Sequence, residues 1–153
     1  MAARPRKTIS PRAAQHASAR KMVRPYPGSR SRDVQDYMSW RFDLIYSEPV
    51  FGWDTVTSED RDFIHKWLEK FEGQTAEELF TGGTPGKTYT NPRAIPNHAA
   101  RARFIDAYDD EDEIHRLACG GKPRFYGFRR GNVFLVLWWD KRHEIWPSQK
   151  KHT

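Results

Sequence analysis

The chain has 153 residues, a net charge of +6 and 14% aromatic side chains, enough for one packed domain with room for a tail. It has no apolar run near the length of a bilayer crossing, and its first residues lack the apolar core of a secretory leader. A single cysteine, Cys119, excludes a disulfide framework and a four-cysteine zinc site, so a cytoplasmic setting is expected.

The charge is unevenly divided. Residues 1–32 carry nine Lys/Arg and no acid, residues 33–115 carry eight Lys/Arg against eighteen Asp/Glu, and residues 116–153 carry nine against two. A strongly acidic stretch followed by a basic one favours an oriented contact with a polyanion over general stickiness.

In chain order, residues 1–34 are rich in Arg, Ala, Ser and Pro and have no apolar periodicity. They are expected to form a disordered basic tail, ahead of a single domain over 35–148 and a short basic tail over 149–153. Residues 39–47 alternate Trp40, Phe42, Leu44 and Tyr46 with polar side chains, the pattern of a half-buried strand. Over 58–71, Phe63, Ile64, Trp67, Leu68 and Phe71 recur at helical spacing behind a Thr57 or Ser58 cap, and Gly73 ends the helix. Thr75–Glu78 has capping-box spacing and opens a second, short helix.

Three glycines and two prolines make residues 81–93 a loop. Its Gly82–Thr88 segment lacks the spacing of a nucleotide phosphate loop, and no apolar strand precedes it. A third helix runs from Pro96 or Asn97 to Tyr108, and the acidic run 109–113 reads as solvated loop rather than metal site. Ile114–Cys119 is a strand and Gly120-Gly121 a turn. The block 123–147 then follows as strand, turn, strand, turn and a short closing strand over 143–147. Every residue from Val133 to Trp139 is apolar, so this strand should be interior, covered on both faces, with helices packed on one side. The expected fold is α+β: an edge strand, two to three helices, then a four-stranded antiparallel meander.

His98, His115 and His143 are isolated, with no His-x-x-x-His or Cys-x-x-Cys spacing, so neither metal nor cofactor is expected. Chemistry concentrates on the block 123–147. Strand alternation puts Arg124, Tyr126, Phe128 and Arg130 on one face, with Arg129 near the turn, and His143 follows the central strand. Arginine for phosphate, an aromatic side chain for a base and an imidazole that titrates near neutrality suit RNA handling.

The segments Arg129-Arg130-Gly131-Asn132-Val133-Phe134 and Arg142-His143-Glu144-Ile145-Trp146, in this order of elements, resemble those of the RelE/ParE-like toxin superfamily. The pattern from Gly127 through Leu137-Trp138-Trp139-Asp140 and His143 to Pro147-Ser148 also resembles a group of small bacterial and mobile-element proteins. The toxin resemblance implies a metal-independent endoribonuclease acting on mRNA or ribosome-associated RNA and neutralised by an antitoxin protein. On that resemblance His143 is the catalytic acid or base, Tyr126 stacks a base or assists proton transfer, and Arg129 grips phosphate with Arg130. Arg124, Lys122, Lys141 and Arg142 extend the nucleic-acid-binding surface. The competing expectations are a non-catalytic nucleic-acid-binding accessory protein and a protein-interaction module of a mobile element, using the same cations as a footprint.

Overall fold

The computed structural model of the protein describes residues 36–148, so the tails expected over 1–34 and 149–153 lie outside the described residues. Five strands, β1 (Ser39–Arg41), β2 (Gly86–Tyr89), β3 (Ile114–Ala118), β4 (Arg124–Arg130) and β5 (Val133–Asp140), make one sheet in the order β1-β5-β4-β3-β2. The β2–β3, β3–β4 and β4–β5 pairs are antiparallel, and β1 runs parallel to β5. The α-helices are α1 (Ser58–Glu72), α2 (Ala76–Phe80) and α3 (His98–Ala107). The domain is therefore α+β, built on a mixed sheet. Among the described residues no helix is long and apolar enough to cross a membrane.

Local chemistry explains the helices. Thr57 Oγ1 accepts from the Asp60 N–H at 3.1 Å while the Asp60 carboxylate accepts from the Thr57 N–H at 3.0 Å, a reciprocal cap that starts α1. Ile64, Leu68 and Phe71 are its buried stripe. Thr75 and Glu78 repeat the device for α2. Asn97 Oδ1 accepts from the Ala100 N–H at 3.0 Å and caps α3, whose buried side chains are Ala100 and Phe104.

The two faces of the sheet hold separate cores. On one, Ile64, Leu68, Phe71 and Leu79 of α1 and α2 pack on Leu117, Phe125, Phe134, Val136 and Trp139. On the other, Ile95, Ala100, Phe104 and Ile145 pack on Ile114, Tyr126, Phe128, Leu137 and Trp138. Helices thus cover both faces, not one as the sequence suggested. β5 serves both cores through a bulge: Tyr126 opposes Trp138 but Gly127 opposes Val136, leaving Leu137 as the extra residue. Leu137 and Trp138 consequently turn to the same face. Gly127 permits this closeness, since a Cβ there would lie 2.1 Å from the Leu135 carbonyl oxygen.

The bulge aims Trp138 at Glu48, whose carboxylate has no solvent exposure. Glu48 accepts from Arg103 Nε and Nη2, both at 3.1 Å, from Trp138 Nε1 at 3.0 Å, and from the Tyr108 hydroxyl. Burial and this carboxylate push the Tyr108 hydroxyl up to about 12.

Three sequence expectations are corrected. The strand read over 39–47 ends at Arg41, because a turn at Asp43-Leu44 carries the chain across the sheet edge. Trp40 and Phe42 stay with the first core and Leu44 joins the second. The loop read over 81–93 contains β2, whose partner β3 is distant in sequence. The closing strand over 143–147 is absent. Asp140 accepts from the Glu144 and Ile145 N–H groups at 2.9 and 2.8 Å, which curls the chain away from the sheet. The four antiparallel strands are thus β2 to β5, with α3 inserted between the first two, and β1 adds the parallel edge.

Glu48→Ala would leave the part-buried Arg103 guanidinium with only a long contact to Asp106 at 3.8 Å and the Trp138 and Tyr108 donors without their acceptor, and it is expected to lower stability by about 3–5 kcal/mol. Urea unfolding of the variant checks this, and a loss below about 1 kcal/mol would show that the network contributes no more than a surface pair.

Candidate functional site

The register of β2, β3 and β4 lines up a cationic row on the face that carries Tyr126. Lys87 opposes Arg116, Arg116 opposes Tyr126, and Arg124 lies two residues from Tyr126, opposite Asp140 of β5. Arg124 Nη1 donates to the carbonyls of Gly121 and Pro123 at 2.6 and 2.9 Å, and Arg116 Nη2 donates to Gly83 O at 3.1 Å. Neither guanidinium has an acidic hydrogen-bond partner among the described residues. The Nε of each and the Tyr126 hydroxyl are buried donors without a partner.

His143 joins this cluster from the turn after β5. Its backbone is left-handed, φ 58°, a conformation that costs a non-glycine residue about 1 kcal/mol or more, and the Asp140 carboxylate braces the turn from below. Burial, then the charges of Arg124 and Arg116, hold the imidazole below its ordinary 6.5, against the opposing pull of Asp140 and a backbone hydrogen bond at Trp146. The imidazole is therefore neutral at neutral pH and able to accept a proton. One wall of the site is aromatic: Tyr89 and Trp146 stack at 3.9 Å with their planes 13° apart, and Lys87 Nζ sits 4.9 Å from the centre of the Tyr89 ring.

Of the residues singled out by sequence, His143, Arg124 and Tyr126 come together. Tyr126 is fully buried, and burial, then Tyr89 and Asp140, push its hydroxyl well above its ordinary value. A sealed ring cannot stack on a base, and Tyr126 serves as part of the second core. Arg129 lies on the opposite face, its guanidinium 4.6 Å from the centre of the Phe80 ring, as strand alternation requires of a residue next to Phe128 and Arg130. Arg130 is at the far end of β4, about 20 Å from Arg124 at strand rise, and is paired with Glu111. Lys141 pairs with Asp60 at 2.9 Å. Lys122 and Arg142 are exposed, the former in the β3–β4 turn and the latter beside a separate cleft.

Sequence reasoning missed Lys87, Tyr89, Arg116 and Trp146. Recognising β2 would have found the first three, because alternation places Lys87 and Tyr89 on one face and pairing brings in Arg116.

Among the described residues, no group of three or more His, Cys, Asp or Glu side chains is arranged to hold a metal ion. His115 is a buried neutral imidazole, its Nδ1 2.9 Å from Thr88 Oγ1, and burial, then Arg129 and Arg130, lower its pKa to about 4. The chain matches no family model, and it has no significant match among curated proteins or solved structures.

His115 gives the domain an acid sensitivity of known sign. Its folded pKa lies below the unfolded one, so between them the unfolded chain binds more protons and stability falls as pH drops. Between about pH 7 and about pH 5 the loss from this residue is about 2 kcal/mol. His115→Gln should reduce the acid-induced drop in unfolding midpoint relative to wild type. Parallel pH profiles for the two proteins would sink the assignment.

Proposed function

We propose that this protein is a metal-independent endoribonuclease of the RelE/ParE-like toxin type, acting on mRNA or ribosome-associated RNA and held in check by an antitoxin protein. The observation that carries the reading is a neutral, partly exposed imidazole, His143, beside two guanidiniums, Arg116 and Arg124, that donate to carbonyl groups and form no ion pair, with Asp140 opposite Arg124 as the one acid nearby among the described residues. RNA brings its own nucleophile, so the protein has only to position it, accept a proton and stabilise charge. His143 takes the proton of the 2′-hydroxyl as the 2′-oxygen attacks phosphorus. Arg116 and Arg124 stabilise the charge that gathers on the phosphoryl oxygens. The bond to the 5′-oxygen breaks, a proton from solvent completes the new 5′-hydroxyl, and a 2′,3′-cyclic phosphate remains. The edge of the Tyr89–Trp146 stack offers a flanking base an aromatic surface.

The complete burial of Tyr126, which denies the site a second proton-transfer group from β4, favours one other reading, a nucleic-acid-binding protein without catalysis.

Incubating purified protein with RNA, free and ribosome-bound, in the presence of a chelator separates the two readings. The nuclease predicts fragments ending in 2′,3′-cyclic phosphate, and His143→Ala is expected to slow their appearance by about a hundredfold or more. Tyr126→Phe, which removes only the buried hydroxyl, is expected to cost less than about tenfold. Because His143 works as the neutral form and its pKa is depressed, the acid limb of the rate should lie below pH 6.5. Binding without cleavage on either substrate would leave the non-catalytic reading standing.

A further inference from the structure

A cleft of about 490 Å³ opens on the other side of the turn that carries His143. Phe51 and Trp139 form its apolar wall, Asp60 and Ala99 bring the first turns of α1 and α3 to it, and Lys141 and Arg142 stand at its rim. Most of its polar groups are already engaged. Asp60 caps α1 and pairs with Lys141 at 2.9 Å, and Asn97 caps α3 while donating to the Glu144 carbonyl at 3.3 Å.

Two donors are left over among the described residues. Trp139, whose ring packs on Phe63 and Phe125, is 2% exposed and is one of the residues of the cleft, and its buried indole N–H has no partner. Buried donors of this kind are rare in folded proteins unless something accepts from them. The Arg142 guanidinium, exposed at the rim, makes no ion pair or hydrogen bond. The first turn of α3 contains no acid, so the positive end of its dipole adds to the same potential. Against these stands Glu144, an exposed acid of the rim. Apolar walls with a few convergent donors, at this size, are the usual make-up of a small-molecule pocket.

We propose that this cleft binds a small organic anion, a carboxylate or phosphate monoester carried on a flat apolar body. The anionic group accepts from the Trp139 indole N–H and pairs with Arg142, and the apolar body lies against Phe51. The site is separate from the His143 cluster and requires no RNA.

Indole N–H resonances of the ¹⁵N-labelled protein test it, with Trp139→Phe identifying the relevant signal. Benzoate and phenyl phosphate serve as probes, and benzamide is the uncharged control. Saturable movement of the Trp139 signal with either anion, absent with benzamide and weakened about tenfold or more in Arg142→Gln, is the expected result. Response to benzoate alone assigns a carboxylate ligand, and response to phenyl phosphate alone assigns a phosphate. No saturable movement with either anion, or equal affinity in Arg142→Gln, overturns the proposal. The readout needs no RNA cleavage, so its failure is distinct from failure of the nuclease reading.

Discussion

A carboxylate without access to water is the constraint to which much of this fold answers. Moving Glu48 into the interior costs several kcal/mol unless its oxygens are fully hydrogen-bonded. The donors come from three separate places: Arg103 on α3, Tyr108 just past its end, and Trp138 on β5. None is near Glu48 in sequence. Arg103 and Tyr108 reach it only when α3 is docked on the sheet, and Trp138 reaches it only because the bulge at Leu137 reverses the alternation of β5. Helix docking, the bulge and the loop that carries Glu48 therefore stabilise one another and should form or fail as a unit.

A second buried acid, Asp140, works at the opposite scale. Its carboxylate binds two successive backbone N–H groups, those of Glu144 and Ile145, and so ends β5 where a further strand would otherwise continue. The same turn is tied to the start of α3, where the Asn97 N–H donates to Ile145 O at 3.2 Å. Held at both sides, it presents the His143 imidazole to the arginines on one face and Arg142 to the cleft on the other. The left-handed backbone of His143 is a local cost of that placement, and the Asp140 bonds offset it.

What was legible in the sequence was whatever rests on local chemistry. The apolar run of β5, the caps and stripe of α1, the Thr75 cap of α2 and the span of α3 all follow from neighbours within a few residues. The misses each depend on a distant partner. β2 reads as loop because its four residues sit among glycines and prolines, and it becomes a strand only by pairing with β3. The alternation after Trp40 is real, yet Leu44 answers to a different core. Residues 143–147 look extended until the Asp140 carboxylate binds their backbone. The site divides in the same way. Arg124 and Tyr126 follow from alternation on one strand, the resemblance assigns Arg129 to the site although the same alternation sets it apart from them, and Arg116 with Lys87 needs a pairing that sequence alone does not reveal.

Charge counted along the chain is likewise not charge felt at the surface. The acidic stretch and the basic stretch interleave in space, and two of the expected contact cations are spent on acids, Arg130 on Glu111 and Lys141 on Asp60, while Arg93 pairs with Asp109 and Arg103 with Glu48. Lys87, Arg116 and Arg124 are engaged instead with an aromatic ring or with carbonyl groups, which leave their charge intact. Part of the positive potential of the described sheet thus lies around His143, offset in part by Asp140, while Arg129 carries its charge on the opposite face. At physiological ionic strength a field of this kind acts over about 8 Å, so it gives little long-range attraction. On the proposed function its use is at contact, where a phosphodiester between Arg116 and Arg124 would also meet a neutral imidazole and an aromatic wall.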